Sequence, residues 1–326
     1  MNTRRKLVLA AVAGGLARAG SAWAQAPARM AHIGWISIRP LSSLGRALFT
    51  EAMRERGWVE GTNYVLDALH YDGRAERIPA LAAELVQRRP DVIVASGSTP
   101  VRPLMQATQT IPIVFLNAGD PMGAGFVSNL ARPGGNLTGL GALASGLVAK
   151  QLDLLKVAVP RAQRIGLALN PHFRLHAMVL PELLAAAQRL GVELKQVTLR
   201  SPDELGPAFA ALARERVDAL LMLGQPFILG APAPVAALTQ EHRLPTVSHF
   251  VELTRAGVLM SYGSTFEDQM RRLPYYLDRI LKGTPPGDLP VEQPTRFYLT
   301  LNLKTARALG LTLPQSLLLQ ATEVIE

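Results

Sequence analysis

The sequence predicts an α/β protein made of two Rossmann-like lobes with parallel sheets. Apolar segments of about five residues alternate with helical segments of about 10 to 14, a pattern typical of parallel sheets covered on both faces. The Gly/Pro-rich stretch 132–139 interrupts this alternation, which then restarts. At 326 residues the chain is long enough for two or three domains. Two sets of strand–helix units on either side of this stretch therefore predict two lobes.

The first set contains four expected strands. Apolar runs place them at 32–37, 64–69, 91–95 and 111–116, and helical patterns lie between them at 43–56, 75–88 and 100–108. Pro100 suits the first turn of its helix, with Ser98 or Thr99 as the capping residue. The last of these strands closes at the turn 117–121.

The second set repeats the same pattern. Strands are expected at 164–169, 192–198, 219–223, 246–248, 257–261 and 296–302, with helices at 147–157, 178–190, 202–214, 234–242 and 266–281. Gly191 and Gly283 follow two of these helices, as glycine does where a helix ends in a left-handed residue. The Pro-rich segment 284–294 is expected to be a connector.

The composition excludes several classes of chemistry. The chain has no cysteine, so disulfides, thiolate zinc sites, iron–sulfur clusters and cysteine nucleophiles are excluded. The formal net charge is +9, but Arg4, Arg5, Lys6 and Arg18 lie in the first 24 residues. Without that segment the charge falls to +5, with no Lys/Arg run longer than a pair, so no nucleic-acid partner is expected.

Residues 1–24 have the pattern of a cleavable export signal. A basic start precedes the apolar run 7–17, and Ala22 and Ala24 supply the small residues of a cleavage site. The run is too short to cross a bilayer, which needs about 20 residues, and a core helix is the alternative interpretation. Residues 3–9 also fit a twin-arginine start. Without a cysteine to carry a lipid anchor, we expect the mature chain to be free in the periplasm.

Polar and aromatic residues collect where the expected strands end. Ligands of open parallel sheets bind beyond the carboxyl ends of the strands, so a cleft between the lobes is the expected binding site. The candidate ligand-binding residues are Ser37, Ser96, Gly97, Ser98, Thr99, Asp120, Asn170, Phe173, Gln225, Phe227 and Tyr262.

Each candidate has a functional and a structural interpretation. The stretch 96–99 opens a helix and predicts a carboxylate-sized anion site, or else Ser98 and Thr99 only cap that helix. Asp120 pairs with a ligand ammonium or accepts bonds within its own turn. Asn170 likewise donates to the ligand or caps the next turn.

Gln225 offers an amide and Phe227 an aromatic wall, with an ordinary loop as the alternative. Phe173 and Tyr262 stack on an apolar ligand group or belong to the core.

No pattern of a metal, cofactor or catalytic site is present. His172 and His176 are four residues apart, as on one helix face, but no third ligand of matching spacing accompanies them. The stretch 139–144 is similar to a dinucleotide-binding fingerprint but has no clear acidic partner on a second strand. Neither a nucleophile elbow nor a P-loop occurs. We therefore expect no metal, no cofactor and no enzyme activity.

Six segments, taken in order, carry a family resemblance across the whole mature chain. They are GWVEGTN (57–63), IPALAAELV (78–86), IPIVF (111–115), RPGGNLTG (132–139), GVLMSYG (257–263) and PVEQPTRF (290–297). The chain resembles the periplasmic ABC-transporter substrate-binding proteins related to tryptophan- and phenylalanine-binding proteins, which have the type I periplasmic binding fold. The resemblance implies three crossovers between the lobes. It implies one lobe from 30–121 with 257–288 and a second from 122–256 with 289–326.

The resemblance also implies a function. A monomeric exported receptor would close its lobes on a small carboxylated ligand, an amino acid or related organic acid, and deliver it to an inner-membrane ABC permease. Two alternatives stay open. One is a periplasmic enzyme that uses Asp120 or a histidine as general base in the same cleft, and the other is a ligand sensor for a membrane signalling partner.

Overall fold

The strands of the protein divide between two sheets. The computed structural model describes residues 30–142 and 146–326; the expected export signal, 1–24, and part of the stretch 139–144 lie outside them. The first sheet has five parallel strands in the order β2-β1-β3-β4-β5. They are β1 (Ala31–Ser37), β2 (Tyr64–His70), β3 (Val92–Ser96), β4 (Ile113–Ala118) and β5 (Leu137–Gly141). Helices α1 (Ser43–Arg54), α2 (Ile78–Gln87) and α3 (Val101–Ala107) connect the first four strands.

The second sheet has seven strands in the order β12-β11-β10-β9-β8-β6-β7. They are β6 (Arg164–Leu169), β7 (Glu193–Thr198), β8 (Ala219–Met222), β9 (Thr246–Ser248), β10 (Met260–Gly263), β11 (Tyr298–Asn302) and β12 (Glu323–Ile325). Strand β11 runs antiparallel to β10, and the other neighbours are parallel.

Helices cover both sheets. The remaining helices are α4 (Leu147–Ala158), α5 (Arg174–Leu190), α6 (Leu205–Arg214), α7 (Pro226–Leu229), α8 (Pro232–Glu241), α9 (Val251–Ala256), α10 (Phe266–Leu281), α11 (Leu303–Ala308) and α12 (Gln315–Leu318). Short 3₁₀ turns lie at Ala75–Arg77, Pro202–Glu204 and Pro286–Asp288. None of the helices in the described ranges is both long and apolar enough to cross a membrane.

Successive residues of the central strands enter different cores. Val92 and Val94 of β3 join the cluster built around Trp35 and Phe49, whereas Ile93 of the same strand faces the opposite cluster. Because side chains alternate along a strand, this arrangement requires helices on both faces. The second sheet likewise has one cluster on each face. The predicted α/β class with parallel sheets is therefore confirmed.

Helix α10 crosses from the second sheet to the first. Strand β10, immediately before it, belongs to the second sheet, but Met270, Leu273 and Tyr276 of the helix are buried in the cluster around Trp35. The chain crosses earlier between β5 and α4, and it returns once more before β11. The expected three crossovers are therefore present.

The strand pairing moves the expected lobe boundaries. Strand β5 pairs with β4, so 122–142 lie with the first lobe and not with the second. Strand β10 pairs with β9 and β11, so 257–263 lie with the second lobe and not with the first. Leu289 and Val291 are buried in the first lobe, which moves the last boundary past them. The Gly/Pro-rich stretch leads into an edge strand of the first sheet and is not the link between the lobes.

Candidate binding site

A cavity of about 350 Å³ lies between the lobes, at the carboxyl ends of both sheets. This volume is within the range of roughly 300–1,000 Å³ that is usual for small-molecule pockets. Six of the eleven expected site residues line the cavity, namely Ser37, Ser96, Gly97, Ser98, Phe173 and Gln225. The other five, Thr99, Asp120, Asn170, Phe227 and Tyr262, are outside its lining.

Two of the polar candidates outside the cavity, Asp120 and Asn170, are used by their own turns. Asp120 Oδ1 accepts a hydrogen bond from Gly123 N at 2.9 Å. Asn170 Oδ1 accepts one from His172 N at 3.0 Å. Asp and Asn commonly satisfy a nearby backbone N–H in this way, so the structural interpretation describes both residues.

The remaining candidates outside the cavity face other side chains. Tyr262 packs against Phe297, with ring centroids 5.8 Å apart. Phe227 packs on one core cluster of the second lobe. The Thr99 hydroxyl hydrogen-bonds the Tyr71 phenol, whose pKa is nevertheless raised because burial outweighs that bond. Tyr71 itself lines the cavity, so Thr99 affects the site through it.

The turn after β3 forms the first polar wall. Ser98 Oγ accepts a hydrogen bond from Gly119 N at 2.8 Å, which leaves the hydroxyl proton free to be donated. Helix α3 begins after Pro100 without a side-chain cap, so the expected capping by Ser98 or Thr99 is not observed. Among the hydrogen bonds of the described residues, none uses the backbone N–H of Ser98, which lines the cavity. This turn therefore offers donors suited to a carboxylate.

Ser37 fixes the neighbouring loop. Its hydroxyl donates to the Arg39 carbonyl at 2.8 Å, and His70 Nδ1 lies 2.9 Å from the Ser37 hydroxyl oxygen. Since the hydroxyl proton is used, His70 donates from Nδ1. Burial lowers the pKa of His70, which favours the neutral ring. Ser37 and His70 thus position the segment that carries Arg39 into the cleft.

Two residues of opposite charge reach the cavity from different lobes. Arg39 follows β1 in the first lobe, and Glu252 lies in the first turn of α9 in the second. Glu252 is half-buried; burial raises the pKa of its carboxyl, and the nearby negative charge of Glu267 adds to the increase. The sequence interpretation missed both residues. Arg39 was inside a loop already selected, and Glu252 follows β9, whose carboxyl end was not considered.

Four aromatic side chains line the cavity from separate elements, namely Tyr71, Phe173, Phe250 and Phe266. Phe173 meets the His176 ring edge to face, with centroids 5.0 Å apart. Only Phe173 was a sequence candidate. Tyr71 and Phe250 follow β2 and β9, whose carboxyl ends were not selected, and Phe266 is the first residue of α10.

His176 holds two strand ends together. Its Nδ1 accepts from Asn170 N at 2.8 Å, and its Nε2 therefore carries the proton that it donates to Gly224 O at 3.1 Å. Burial lowers the pKa of His176, in keeping with a neutral ring. Both ring nitrogens are occupied by these bonds. The residue supports the loops after β6 and β8, and it has no free nitrogen to share a metal with His172.

Gln225 has an unsatisfied oxygen in the wall of the cavity. Its side chain is 2% exposed, and Nε2 donates to Leu199 O at 3.0 Å. Its Oε1 is buried and has no hydrogen-bond partner among residues 30–142 and 146–326. An unpaired buried acceptor costs about 1–3 kcal/mol, so a donor from a bound molecule would be stabilised here.

Comparison with known proteins identifies relatives over almost the whole chain. A sequence model of the family described as ABC transporter substrate binding protein matches residues 43–325. The chain is 24% identical to the tyrosine-binding protein of Clostridioides difficile (strain R20291) over 263 residues, which are 81% of this chain and 75% of that protein.

Two solved structures have a similar arrangement. A conserved domain protein from Vibrio cholerae superposes with a TM-score of 0.84 and 27% identity, covering 91% of this chain and 100% of the other. An ABC domain from Streptococcus pneumonia in complex with L-Trp superposes with a TM-score of 0.82 and 23% identity, covering 90% of this chain and 99% of the other.

Proposed function

The chain belongs to the family of ABC transporter substrate-binding proteins and has the type I periplasmic binding fold, and from this premise we propose that its cleft binds an aromatic α-amino acid. The observation that carries the proposal is the lining of the cavity. Groups of opposite charge, Arg39 and Glu252, accompany four aromatic side chains in one space of about 350 Å³. A zwitterion with an aromatic side chain matches both features.

The two ends of the ligand are assigned by charge. The carboxylate lies at the turn after β3, where Ser98 can donate from its hydroxyl and its backbone N–H, and Arg39 lines the same cavity. The ammonium lies toward Glu252 and Gln225 Oε1, which are acceptors on the second lobe. Each lobe then holds one end, so the full set of contacts exists only with both lobes in place. Binding would stabilise the closed arrangement for this reason.

The names of the relatives support this ligand class. One curated relative is a tyrosine-binding protein, and one structure of the same fold holds L-Trp. The lining of the cavity suits phenylalanine, tyrosine and tryptophan alike, so all three belong to the proposed class.

The proposed role is the exported receptor of an ABC importer. The segment 1–24 directs the chain to the periplasm, where it acts without a lipid anchor because it has no cysteine. The loaded receptor presents the rims of both lobes to an inner-membrane permease. The chain acts as a binding protein, and the ligand leaves it chemically unchanged.

The test uses the purified chain without residues 1–24. A panel of the natural amino acids is screened by thermal shift, and hits are measured by calorimetry and recovered for mass spectrometry. We expect an aromatic amino acid to bind at micromolar affinity or tighter, about −8 kcal/mol, and to be recovered intact. Conversion of the ligand would identify an enzyme instead. Binding of only non-aromatic compounds would overturn the ligand assignment.

A further inference from the structure

A second cavity, of about 340 Å³, lies at the hinge. Its walls come from all three crossovers, namely the end of β5, the link from β10 into α10, and the returning segment before β11. Its lining includes Gly141, Asp268, Gln269, Arg272, Glu292 and Arg296. Aromatic side chains are absent from this lining, in contrast to the cleft.

Hydrogen bonds join the crossovers around this cavity. Gly141 N donates to Glu292 O at 2.8 Å, which connects the first crossover to the third. Arg272 forms a two-bond pair with the Glu292 carboxylate, at 2.5 and 2.8 Å, and so connects α10 to the third crossover. Tyr298 OH donates to Asp268 Oδ2 at 2.7 Å and connects β11 to α10. A molecule in this cavity would contact each segment that moves when the lobes move.

Gln269 has an unpaired oxygen in the wall. The side chain is 7% exposed, and Nε2 approaches two acceptors, Asn117 Oδ1 at 3.4 Å and Gly141 O at 3.3 Å. Two acceptors on that side fix the amide orientation, since the oxygen would repel both. Oε1 is consequently directed away from them, and it is buried without a hydrogen-bond partner in the part of the chain that the structure describes. A buried amide oxygen of this kind requires a donor.

The charges around the cavity cancel. Asp268 and Glu292 are acidic, and Arg272 and Arg296 are basic. Arg272 is already paired with Glu292, whereas the exposed Arg296 hydrogen-bonds the Tyr298 phenol and has no ion pair among the described residues. A ligand with one positive and one negative group therefore meets an acceptor at Gln269 and Asp268 and a cation at Arg296.

We propose that the hinge cavity is a second ligand site, which takes a free α-amino acid with a small polar side chain. The ammonium group donates to Gln269 Oε1 and Asp268, and the carboxylate pairs with Arg296. Because the ligand bridges the three crossovers, its binding changes the affinity of the cleft for its own ligand, and the reverse holds to the same factor. This coupling rests on the proposed function of the cleft, whereas the binding at the hinge does not.

The experiment titrates the chain lacking residues 1–24, first saturated with L-tryptophan, with glycine and L-serine in a calorimeter. We expect one additional site per chain with a submillimolar dissociation constant. Arg296→Gln, at an exposed position, and Gln269→Leu should each weaken this site at least tenfold. The matched control Gln225→Leu, in the cleft, should weaken L-tryptophan and leave the serine site as it is. A separate L-tryptophan titration with and without saturating serine should show a change in affinity of about fivefold or more.

The outcomes separate the two proposals. If glycine and serine do not bind at millimolar concentration, or if Arg296→Gln and Gln269→Leu leave their binding as it is, the hinge site is overturned. If Gln225→Leu abolishes serine binding, serine binds in the cleft, and the hinge site is again overturned. If L-tryptophan does not bind, the same titration on the free chain tests the hinge alone, and a serine site sensitive to Arg296→Gln supports it although the assignment of the cleft has failed.

Discussion

Leu175 of the second lobe packs directly on Gly119 of the first. A Cβ atom at Gly119 would lie 2.9 Å from Leu175 Cδ2. Met178, on the same helix, covers Gly123, where a Cβ atom would lie 1.8 Å from the methionine methyl group. Contacts this short do not exist between real atoms, so neither side chain could stay where it is if its glycine carried a Cβ. These two glycines provide the space in which the lobes meet.

Replacement of Gly119 by Val should weaken ligand binding by hindering closure. The added methyl groups occupy the position of Leu175, whereas each lobe keeps its own core. We expect the affinity for the cleft ligand to fall about tenfold, or about 1.4 kcal/mol, with little change in the urea midpoint of unfolding. Calorimetry and denaturation measure the two effects. Gly206→Ala, where a Cβ meets nothing within 4 Å, is the control. Unchanged affinity in Gly119→Val would contradict the role of this contact.

Removal of the Ser98 hydroxyl should weaken binding of the ligand carboxylate. A hydrogen bond to a charged group contributes about 1.5–3 kcal/mol, so Ser98→Ala should lower the affinity for an aromatic amino acid by at least about tenfold. The variant also loses the hydrogen bond from Gly119 N, and this change in the ligand-free protein affects every ligand equally. L-tryptophanamide, which has no carboxylate, is therefore the comparison ligand. An equal loss for the amide would show that Ser98 acts only on the loop.

Neutralisation of Glu252 should act on the other end of the ligand. In Glu252→Gln the ammonium loses its charged partner, and we expect the affinity for L-tryptophan to fall by about tenfold or more. 3-Indolepropionate, which has no amino group, should bind the variant and the parent chain equally. Competition between the two compounds measures both effects. If the affinities of the variant for both compounds fell to the same extent, Glu252 would not contact the ammonium group.

Binding should also depend on pH through Glu252. The pKa of its carboxyl is raised by burial, so it becomes protonated at a higher pH than an exposed glutamate. Since the ammonium favours the ionised form, affinity should fall as the pH is lowered through this raised pKa, and binding should release protons. Calorimetry in buffers of different ionisation enthalpy counts those protons. Glu252→Gln should remove the proton release, and its persistence would point to another group.

Stability should decrease in mild acid because of His249. Burial lowers the pKa of His249 from 6.5 to about 4 in the folded chain. As the pH falls below 6.5 the unfolded chain takes up a proton that the folded chain does not. The free energy of unfolding therefore falls by up to about 3 kcal/mol as the pH approaches 4. Urea denaturation at pH 7 and 5 measures this loss. His249→Phe should make the dependence shallower, leaving the part that His70 and His176 contribute, whereas His172→Asn, at an exposed position, should retain all of it.

The local pattern of the sequence was sufficient to locate the ends of the strands, but it did not show which strands pair with each other. Ser37, Ser98 and Gln225 were found because each follows a short apolar run, and parallel packing brings such ends together. Strand β5 is fully buried and has no feature that assigns it to one sheet, so the lobe boundary was misplaced. Which sheet a strand joins is decided by contacts distant in sequence.

The same distinction applies to the site. Asp120 and Asn170 lie outside the cleft because local backbone donors satisfy them, a competition that their residue types favour. Arg39 and Glu252 reach the cavity because two separate lobes approach each other. The sequence pattern of either segment does not depend on that approach, so these two residues could be placed in the cavity only from the folded structure.

The returning segment at the hinge also protects a sheet edge. Strand β5 ends the first sheet, and its outer backbone groups are met by Glu292, which donates to Gly139 O and accepts from Gly141 N. An uncovered edge strand is a template for pairing with another chain. The segment that links the lobes thus also pairs with the edge of β5 and keeps it from pairing with another chain. A hinge movement that detached Glu292 would leave these backbone groups of β5 unpaired and expose the edge of the first sheet.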